Sequence, residues 1–346
     1  MKYVDLKTNE AFLVTDRLIR NYFTEIDIAE GYLVLCKSMA YFTDARYFSA
    51  AKDKIAPLNI LPVLYNGLES IKDYLSQNRI DTVYLDYERT TLSEYETYKA
   101  LGVELKDGTA LLRDARAIKT KQELDNITKA CEIIQKVYHD AIKTVKKGMT
   151  ETELRDTIER LMVEYGASGP SFESIVAFGA NGAVPHHETG DTVLENDTSI
   201  LVDIGCKYNG YCSDITRMAF FGTPDKKFLD AYDAVLTANK KAIELASSGM
   251  KTDEVDKIAR DILTERGYGK YFTHSLGHGV GIEIHEFPWV APKKSAELKD
   301  GMVFTDEPGV YFDGEFGIRI EDTVTLVDGK VKRLYNDDKE LIIIKN

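Results

Sequence analysis

Asp203, Asp214, His278, Glu307 and Glu321 stand in order along the C-terminal two-thirds of the chain, each in an unusual local sequence: VDIG, CSDITR, SLGHGVG, DEPGVY and RIED. Four carboxylates and one imidazole form a hard, oxygen-rich donor set. Such a set suits two divalent first-row ions that share bridging carboxylates, and two such ions would cancel the four negative charges. A two-metal centre activates water, so the chemistry indicated is hydrolysis. Asp203 ends the apolar run SILVDIG, a costly place for an unpaired charge, so a partner cation is expected there. Other pairings stay open for two of the motifs taken alone. Asp214 has Arg217 three residues on as a salt-bridge partner, and Arg319 shares a strand face with Glu321, as a solvated ion pair would. His274, His278 and His285 are three of the six histidines, and Gly277, Gly279 and Gly281 between them allow close backbone approach.

The elements that must position these residues follow from hydrophobic periodicity. TSILVDIGCKY and YCSDITRMAFFG read as strands with KYNGY as the turn between them, so a suitable register brings Asp203 and Asp214 to one face. FESIVAFG reads as another strand, Pro308-Gly309 turns the chain after Glu307, and residues 301–345 are strand-rich. One long helix is expected from Arg113 to Gly148, with Ile127, Ala130, Cys131, Ile134, Val137 and Ala141 on its stripe. Thr150 and Glu153 make a capping box that starts a second helix running to about Tyr165, and residues 225–246 and 252–266 return to helix. MTETEL and MKTDEV each start a helix after Gly-Met, which points to a pseudo-symmetric α+β domain. Upstream, strands at 11–15, 32–36 and 82–86 alternate with helices at 45–55, 68–78 and 93–102, the pattern of a small α/β domain. The boundary falls near residue 116, giving domains 1–116 and 117–346 joined through the start of the long helix.

The 346 residues, 44% hydrophobic and 29% charged, are those of a soluble globular protein with a sizeable core. A net charge of −13 argues against nucleic acid or an anionic membrane as partner. The four cysteines form no CxxC pair, and the reading for Cys206 and Cys212 is buried free thiols, with metal-adjacent or redox thiols as the alternative. No signal peptide or apolar run of membrane-spanning length is present, so a cytoplasmic enzyme is expected.

Together, VDIG with CSDITR, HSLGHGVGIEIHE, EPGVY and RIED resemble the signature of the pita-bread metallopeptidases, and within that fold the Xaa-Pro peptidases, prolidase and aminopeptidase P. YFTDARYF and IKTKQEL also match, so the resemblance covers nearly the whole chain. It implies a pita-bread catalytic domain of α+β class behind a smaller α/β creatinase-type domain. Asp203, Asp214, His278, Glu307 and Glu321 would hold two ions, most often manganese, with cobalt or zinc as alternatives. Glu307 would also move the proton to the leaving proline nitrogen. His186, His274 and His285 would stabilise the oxyanion or grip the substrate, and Arg319 and Tyr311 would orient carboxylates or substrate. His187 adjoins His186 and could exchange roles with it, but the motif spacing selects His186. Substrates would be small peptides with proline second, with the dipeptidase favoured over an aminopeptidase acting on longer peptides. Phe172, Phe178, Phe287 and Trp289 are candidates for the proline pocket. A homodimer is implied, in which the acidic segment 22–31 could cover the partner's site.

The chain departs from the family pattern twice. Trp289 stands where many dipeptidases carry an arginine, with Lys293 and Lys294 as possible substitutes, and Asp306 stands where an uncharged residue is usual. Strand alternation should point Asp306 away from the metals. Metal-free creatinase-like relatives and non-catalytic binding modules share the fold, but they tend to lose ligands that are all present here.

Overall fold

The computed structural model describes residues 4–337 and 339–345. The chain divides into two compact units, Met1–Arg116 and Ala117–Asn346. The first holds β1 (Glu10–Val14), α1 (Arg17–Thr24), β2 (Tyr32–Leu35), β3 (Ala40–Thr43), α2 (Ala45–Ile55), β4 (Leu61–Leu64), α3 (Leu68–Gln77), β5 (Thr82–Leu85), α4 (Leu92–Tyr98), β6 (Glu104–Asp107) and α5 (Thr109–Ala117). Its strands form one mixed sheet in the order β4-β3-β2-β1-β5-β6. Ala11, Leu13, Val34, Phe42, Val83 and Leu85 build its core with Ile71 and Leu75 of α3. Three of these strands are not expected from periodicity. They are β3, β4 and β6, and β4 and β6 show no clear buried-exposed alternation, each leaving its two end residues exposed.

The expected single helix from Arg113 to Gly148 is broken. α5 stops at Ala117, and α6 (Lys121–Ile142) starts afresh behind a capping box. Thr120 Oγ1 accepts from Glu123 N at 3.3 Å while Thr120 N donates to Glu123 Oε2 at 2.8 Å. Two satisfied helix-start donors outweigh a continuous apolar stripe. α7 (Glu151–Glu164) is capped the same way by Thr150 and Glu153.

The second unit continues with β7 (Gly169–Pro170), β8 (Ile175–Phe178), β9 (Thr198–Ile204), β10 (Cys206–Tyr208), β11 (Tyr211–Cys212), β12 (Ile215–Phe221), α8 (Lys226–Leu245) and α9 (Thr252–Glu265). It ends with β13 (Gly277–Gly279), β14 (Glu286–Val290), β15 (Val303–Asp306), β16 (Gly309–Phe312), β17 (Phe316–Arg319), β18 (Asp322–Val327), β19 (Lys330–Arg333) and β20 (Ile342–Ile344). Sheets ordered β20-β12-β9-β8 and β14-β13-β15-β18-β19 pack with α8 and α9 over a shared core that includes Leu201, Met218, Val235, Phe304 and Ile318. The turn between β10 and β11 is Asn209-Gly210, both at positive φ (48° and 82°), as a tight hairpin requires. Gly317 is needed for close approach, since a Cβ there would meet Gly182 O at 1.8 Å.

The duplication reads out in hydrogen bonds. Gly148 N donates to Leu194 O at 3.0 Å and Leu194 N to Met149 O at 2.8 Å, while Gly249 N donates to Leu298 O at 2.8 Å and Leu298 N to Met250 O at 2.9 Å. Glu151 N donates to Thr192 O at 3.1 Å where Thr252 N donates to Ala296 O at 2.9 Å. Thr150 bridges Val193 as Lys251 bridges Glu297.

Candidate metal centre

Asp203 lies in β9 opposite Thr216 of β12, and Asp214 precedes Thr216 by two residues. A period of two therefore turns Asp203, Asp214 and Thr216 to one face. His278 sits mid-strand in β13, Glu307 directly follows β15, and Glu321 fills the step between β17 and β18, where its N–H donates to Thr216 O at 3.1 Å. Asp203, Asp214, His278, Glu307 and Glu321 line one cavity of about 600 Å³ together with His186, His274, His285 and Arg319. Tyr311 stands one hydrogen bond behind the wall, within 2.9 Å of His274 Nε2 and accepting from Arg319 Nη1 at 2.7 Å.

Donor atoms of Asp214, His278 and Glu321 come within 4.8 Å of one another. His278 Nε2 lies 3.3 Å from Glu307 Oε1 and 3.7 Å from Asp214 Oδ2. This is not an ion pair, because burial and the neighbouring His285 push the imidazole down to about 3, so the ring is neutral. Its Nδ1 faces Gly279 O at 3.1 Å and, opposite a carbonyl that only accepts, must carry the proton. Nε2 then presents a lone pair to carboxylate oxygens, an arrangement that a cation between them would relieve.

The carboxylates report the same deficit of positive charge. Burial, reinforced by Glu321, Asp203 and Glu307, raises Asp214 well above the usual carboxylate range. Burial and Glu307 do the same to Glu321. Burial pushes Glu307 up to about 8. Asp203 Oδ1 and Asp214 Oδ1 are buried with no hydrogen-bond partner. Buried orphan oxygens beside an unprotonated imidazole nitrogen fit divalent cations.

Arg319 is buried and fully engaged. Its Nη2 donates to Asp203 Oδ2 at 2.5 Å, its Nε to Thr216 Oγ1 at 3.1 Å, and its Nη1 to Tyr311 and to Pro185 O at 3.4 Å. Thr216 was missed by motif reading. Its hydroxyl donates to Glu321 Oε2 at 2.6 Å and so orients that carboxylate. The signal was its place two residues beyond Asp214 on one strand. Glu321 is 2% exposed, so it does not belong to a solvated ion pair. Arg217 does not serve Asp214 either. It points to the other side, donating to Asp322 Oδ1 and Asp337 Oδ2, each at 2.7 Å.

Asp306 also faces away from the cavity. It opposes Asp322 across β15 and β18, and burial raises its carboxyl well above the usual range. His274 lines the cavity with both ring nitrogens occupied, Nδ1 by Ser275 O at 2.8 Å and Nε2 by Tyr311. Burial pushes it down to about 4, and burial lowers His285 as well. Of the aromatic candidates, Phe172 and Trp289 line the cavity, whereas Phe178 is buried in β8 and Phe287 packs on the core. Lys293 and Lys294 are not among the lining residues. Cys206 and Cys212 are buried free thiols outside the lining.

A two-sheet frame closed around buried carboxylates and a neutral histidine defines a metal-dependent hydrolase. The chain belongs to metallopeptidase family M24, which it matches over residues 125–328, and residues 3–118 match the Creatinase/Prolidase N-terminal domain. It is 36% identical to the Xaa-Pro dipeptidase of Pyrococcus furiosus over 99% of this chain and 98% of that one. The Xaa-Pro dipeptidase of Bacillus anthracis superposes with a TM-score of 0.92 at 32% identity, covering 96% of this chain and 95% of that one. The X-Pro aminopeptidase of Thermotoga maritima superposes with a TM-score of 0.88 at 31% identity, covering 97% of each. The fold is thus a pita-bread catalytic domain preceded by a creatinase-type domain, and the protein is a metallopeptidase.

Proposed function

We propose that this enzyme hydrolyses the Xaa-Pro bond of small peptides, acting first as a dipeptidase, with Asp203, Asp214, His278, Glu307 and Glu321 holding two divalent ions. The observation that carries this reading is the approach of Glu307 Oε1 and Asp214 Oδ2 to within 3.3 and 3.7 Å of the unprotonated Nε2 of His278, beside Asp203 Oδ1 and Asp214 Oδ1, which are buried without hydrogen-bond partners. Manganese is the ion proposed, with cobalt or zinc as alternatives, because the donors are mostly hard oxygens. Bound divalent ions supply Lewis acidity and a water acidic enough to ionise near neutral pH. Glu307, whose carboxyl takes up a proton readily in this buried setting, would hold the proton that the proline nitrogen requires as the Xaa-Pro bond breaks. His186 and His285 face the substrate. His274 does so only if it gives up Tyr311, which with Arg319 otherwise keeps the wall rigid.

Residues 117–346 carry this chemistry, and in a homodimer residues 1–116 of one protomer would cover the site of its partner, a reading supported by the family resemblance. Glu25, Asp27 and Glu30 are exposed on the segment proposed as the cover. A cytoplasmic location suits four thiols that remain free. Among the described residues no helix is long and apolar enough to cross a membrane.

One observation favours the second reading, an aminopeptidase for longer peptides. Arg319 is the sole lysine or arginine among the lining residues and is already bonded, while Trp289 is 42% exposed at the wall. A free proline carboxylate finds no spare cation there. Metal-reconstituted protein is therefore to be assayed on Ala-Pro, Ala-Pro-Ala and Met-Ala-Ser. Faster cleavage of Ala-Pro supports the dipeptidase, preference for Ala-Pro-Ala supports the aminopeptidase, and cleavage of Met-Ala-Ser alone rejects both.

A further inference from the structure

Glu151 opens α7 and is fully buried, yet an acid in the first turn of a helix reads from sequence as ordinary. Its carboxylate gathers donors from a single loop. Oε1 accepts from Phe178 N at 2.7 Å and Asn181 Nδ2 at 2.8 Å. Oε2 accepts from Gly190 N at 3.1 Å and His187 Nε2 at 2.9 Å. Residues 178–190 are the segment that brings Pro185 O to Arg319 and His186 to the cavity. Both His186 and His187 line the cavity, but with its Nε2 bound to a buried oxygen the ring of His187 acts as an anchor, while His186 beside it is the exposed one.

The fold does not require a carboxylate at this point. The duplicated frame of the second half has Thr252 in the equivalent place, also fully buried. Its hydroxyl accepts from Ala296 N at 3.2 Å and donates to Lys294 O, and that suffices. A buried carboxylate is costly unless every oxygen is hydrogen-bonded, so its use where a hydroxyl closes the same frame indicates a further task. What Glu151 adds over Thr252 is reach, to Phe178, Asn181 and His187.

We propose that Glu151 and His187 are positioning residues that fix the loop carrying His186, so that this imidazole meets the substrate in one orientation. The proposal rests on the reading of His186 as a substrate-facing residue. Misplacement of such a group by about 1 Å costs on the order of a hundredfold in rate.

The test is a double-mutant cycle on the full-length, metal-loaded enzyme with the better of Ala-Pro and Ala-Pro-Ala. Glu151→Thr installs the residue that the other half tolerates. It is expected to lower kcat/KM by about tenfold to a hundredfold with metal content unchanged. In a His186→Ala background the same change should alter kcat/KM by less than about twofold, since the group being positioned is gone. An equal loss in both backgrounds, or no loss in the wild type, overturns the proposal. His187→Gln, at a partly exposed position, runs the same cycle if Glu151→Thr fails to fold. Should His186→Ala alone leave kcat/KM unchanged, the underlying reading of His186 falls; a large His186→Ala loss with additive Glu151→Thr rejects only the positioning role.

Discussion

In the first half of the catalytic unit the histidine-bearing segment is tied to its helix by Glu151; in the second half Asp256 and Arg260 of α9 do the tying. Asp256 Oδ1 accepts from Leu276 N at 3.0 Å, and both its oxygens grip Arg260, at 2.8 and 2.9 Å. Arg260 then donates to Phe272 O at 3.1 Å and His274 O at 2.9 Å. The frames that start α7 and α9 share three backbone hydrogen bonds, yet the buried carboxylate sits at the first position of one helix and at the fifth of the other. A shared frame builds two similar halves, and separately placed acids adapt each half to its own histidines. The proposed metal residues are divided as well, with Asp203 and Asp214 from the first half and His278, Glu307 and Glu321 from the second. Neither half carries a complete set.

The largest expected effect comes from removing one of the first half's two proposed metal carboxylates. Asp214→Ala should abolish metal retention and lower activity by roughly three orders of magnitude or more, because the remaining residues no longer enclose two cations. Metal per chain by elemental analysis and kcat/KM after chelation and re-addition measure this. Full activity with normal metal content would show that Asp214 is not a metal ligand.

Next is the response of metal-stripped protein to pH. The ordinary value for glutamate is 4.5, and burial pushes Glu307 up to about 8, with Glu321 raised in the same direction. Between those pH values the native state binds more protons than the unfolded chain, so stability is full below about 4.5 and falls as pH rises towards about 8. Divalent ions take over the protons' role. Chelated protein should therefore show a Tm that drops from pH 5 to pH 8, while manganese-loaded protein changes little. A pH-independent Tm after chelation would mean that the carboxylates from the two halves do not crowd one another.

Much of the centre was legible in sequence because each candidate sits in a run with a clear period or turn. Asp203 interrupts an apolar strand, Glu307 precedes Pro-Gly, and the histidines stand among glycines. Thr216 is marked in sequence only by its place two residues beyond Asp214, and Glu151 by nothing, since threonine suits any strand and glutamate suits any first turn. Their roles depend on partners such as Glu321 and His187, which no local pattern connects to them. The α5–α6 break is written as Thr120-x-x-Glu123, the same signature that starts α7 at Thr150, but a continuous apolar stripe hides it. Trp289 shows the opposite case: sequence singles it out, and its exposure at the cavity wall gives that departure a physical place.

A third effect separates the two anchors. Asp256 is buried and Arg260 is partly exposed, so Asp256→Ala leaves a guanidinium and the Leu276 N–H without their acceptor, at a cost of about 3 kcal/mol in unfolding free energy. Glu151→Thr should cost less stability, because the other half shows the frame closing around a threonine. Urea unfolding of both variants ranks them. If Glu151→Thr proves the more damaging to stability, the first-half carboxylate is primarily structural and the contrast between the halves disappears.

The smallest effect concerns the helix starts themselves. Thr150 caps α7 with its hydroxyl, accepting from Glu153 N at 3.1 Å, whereas Lys251 at the start of α9 has no side-chain acceptor and keeps only the reciprocal bond from its own N–H to Glu254 Oε2 at 2.8 Å. Lys251→Thr would complete the second box and should raise stability by about 0.5–1 kcal/mol. It also removes an exposed pair with Glu297 at 3.5 Å, a contact worth at most about 1 kcal/mol and usually less. The net gain is therefore small and positive, visible as a Tm increase of a degree or two in the metal-loaded protein. A Tm decrease would mean that Lys251 does more through Glu297 than its missing hydroxyl costs, and that the two helix starts, although matched in their backbone bonds, are stabilised from different sides.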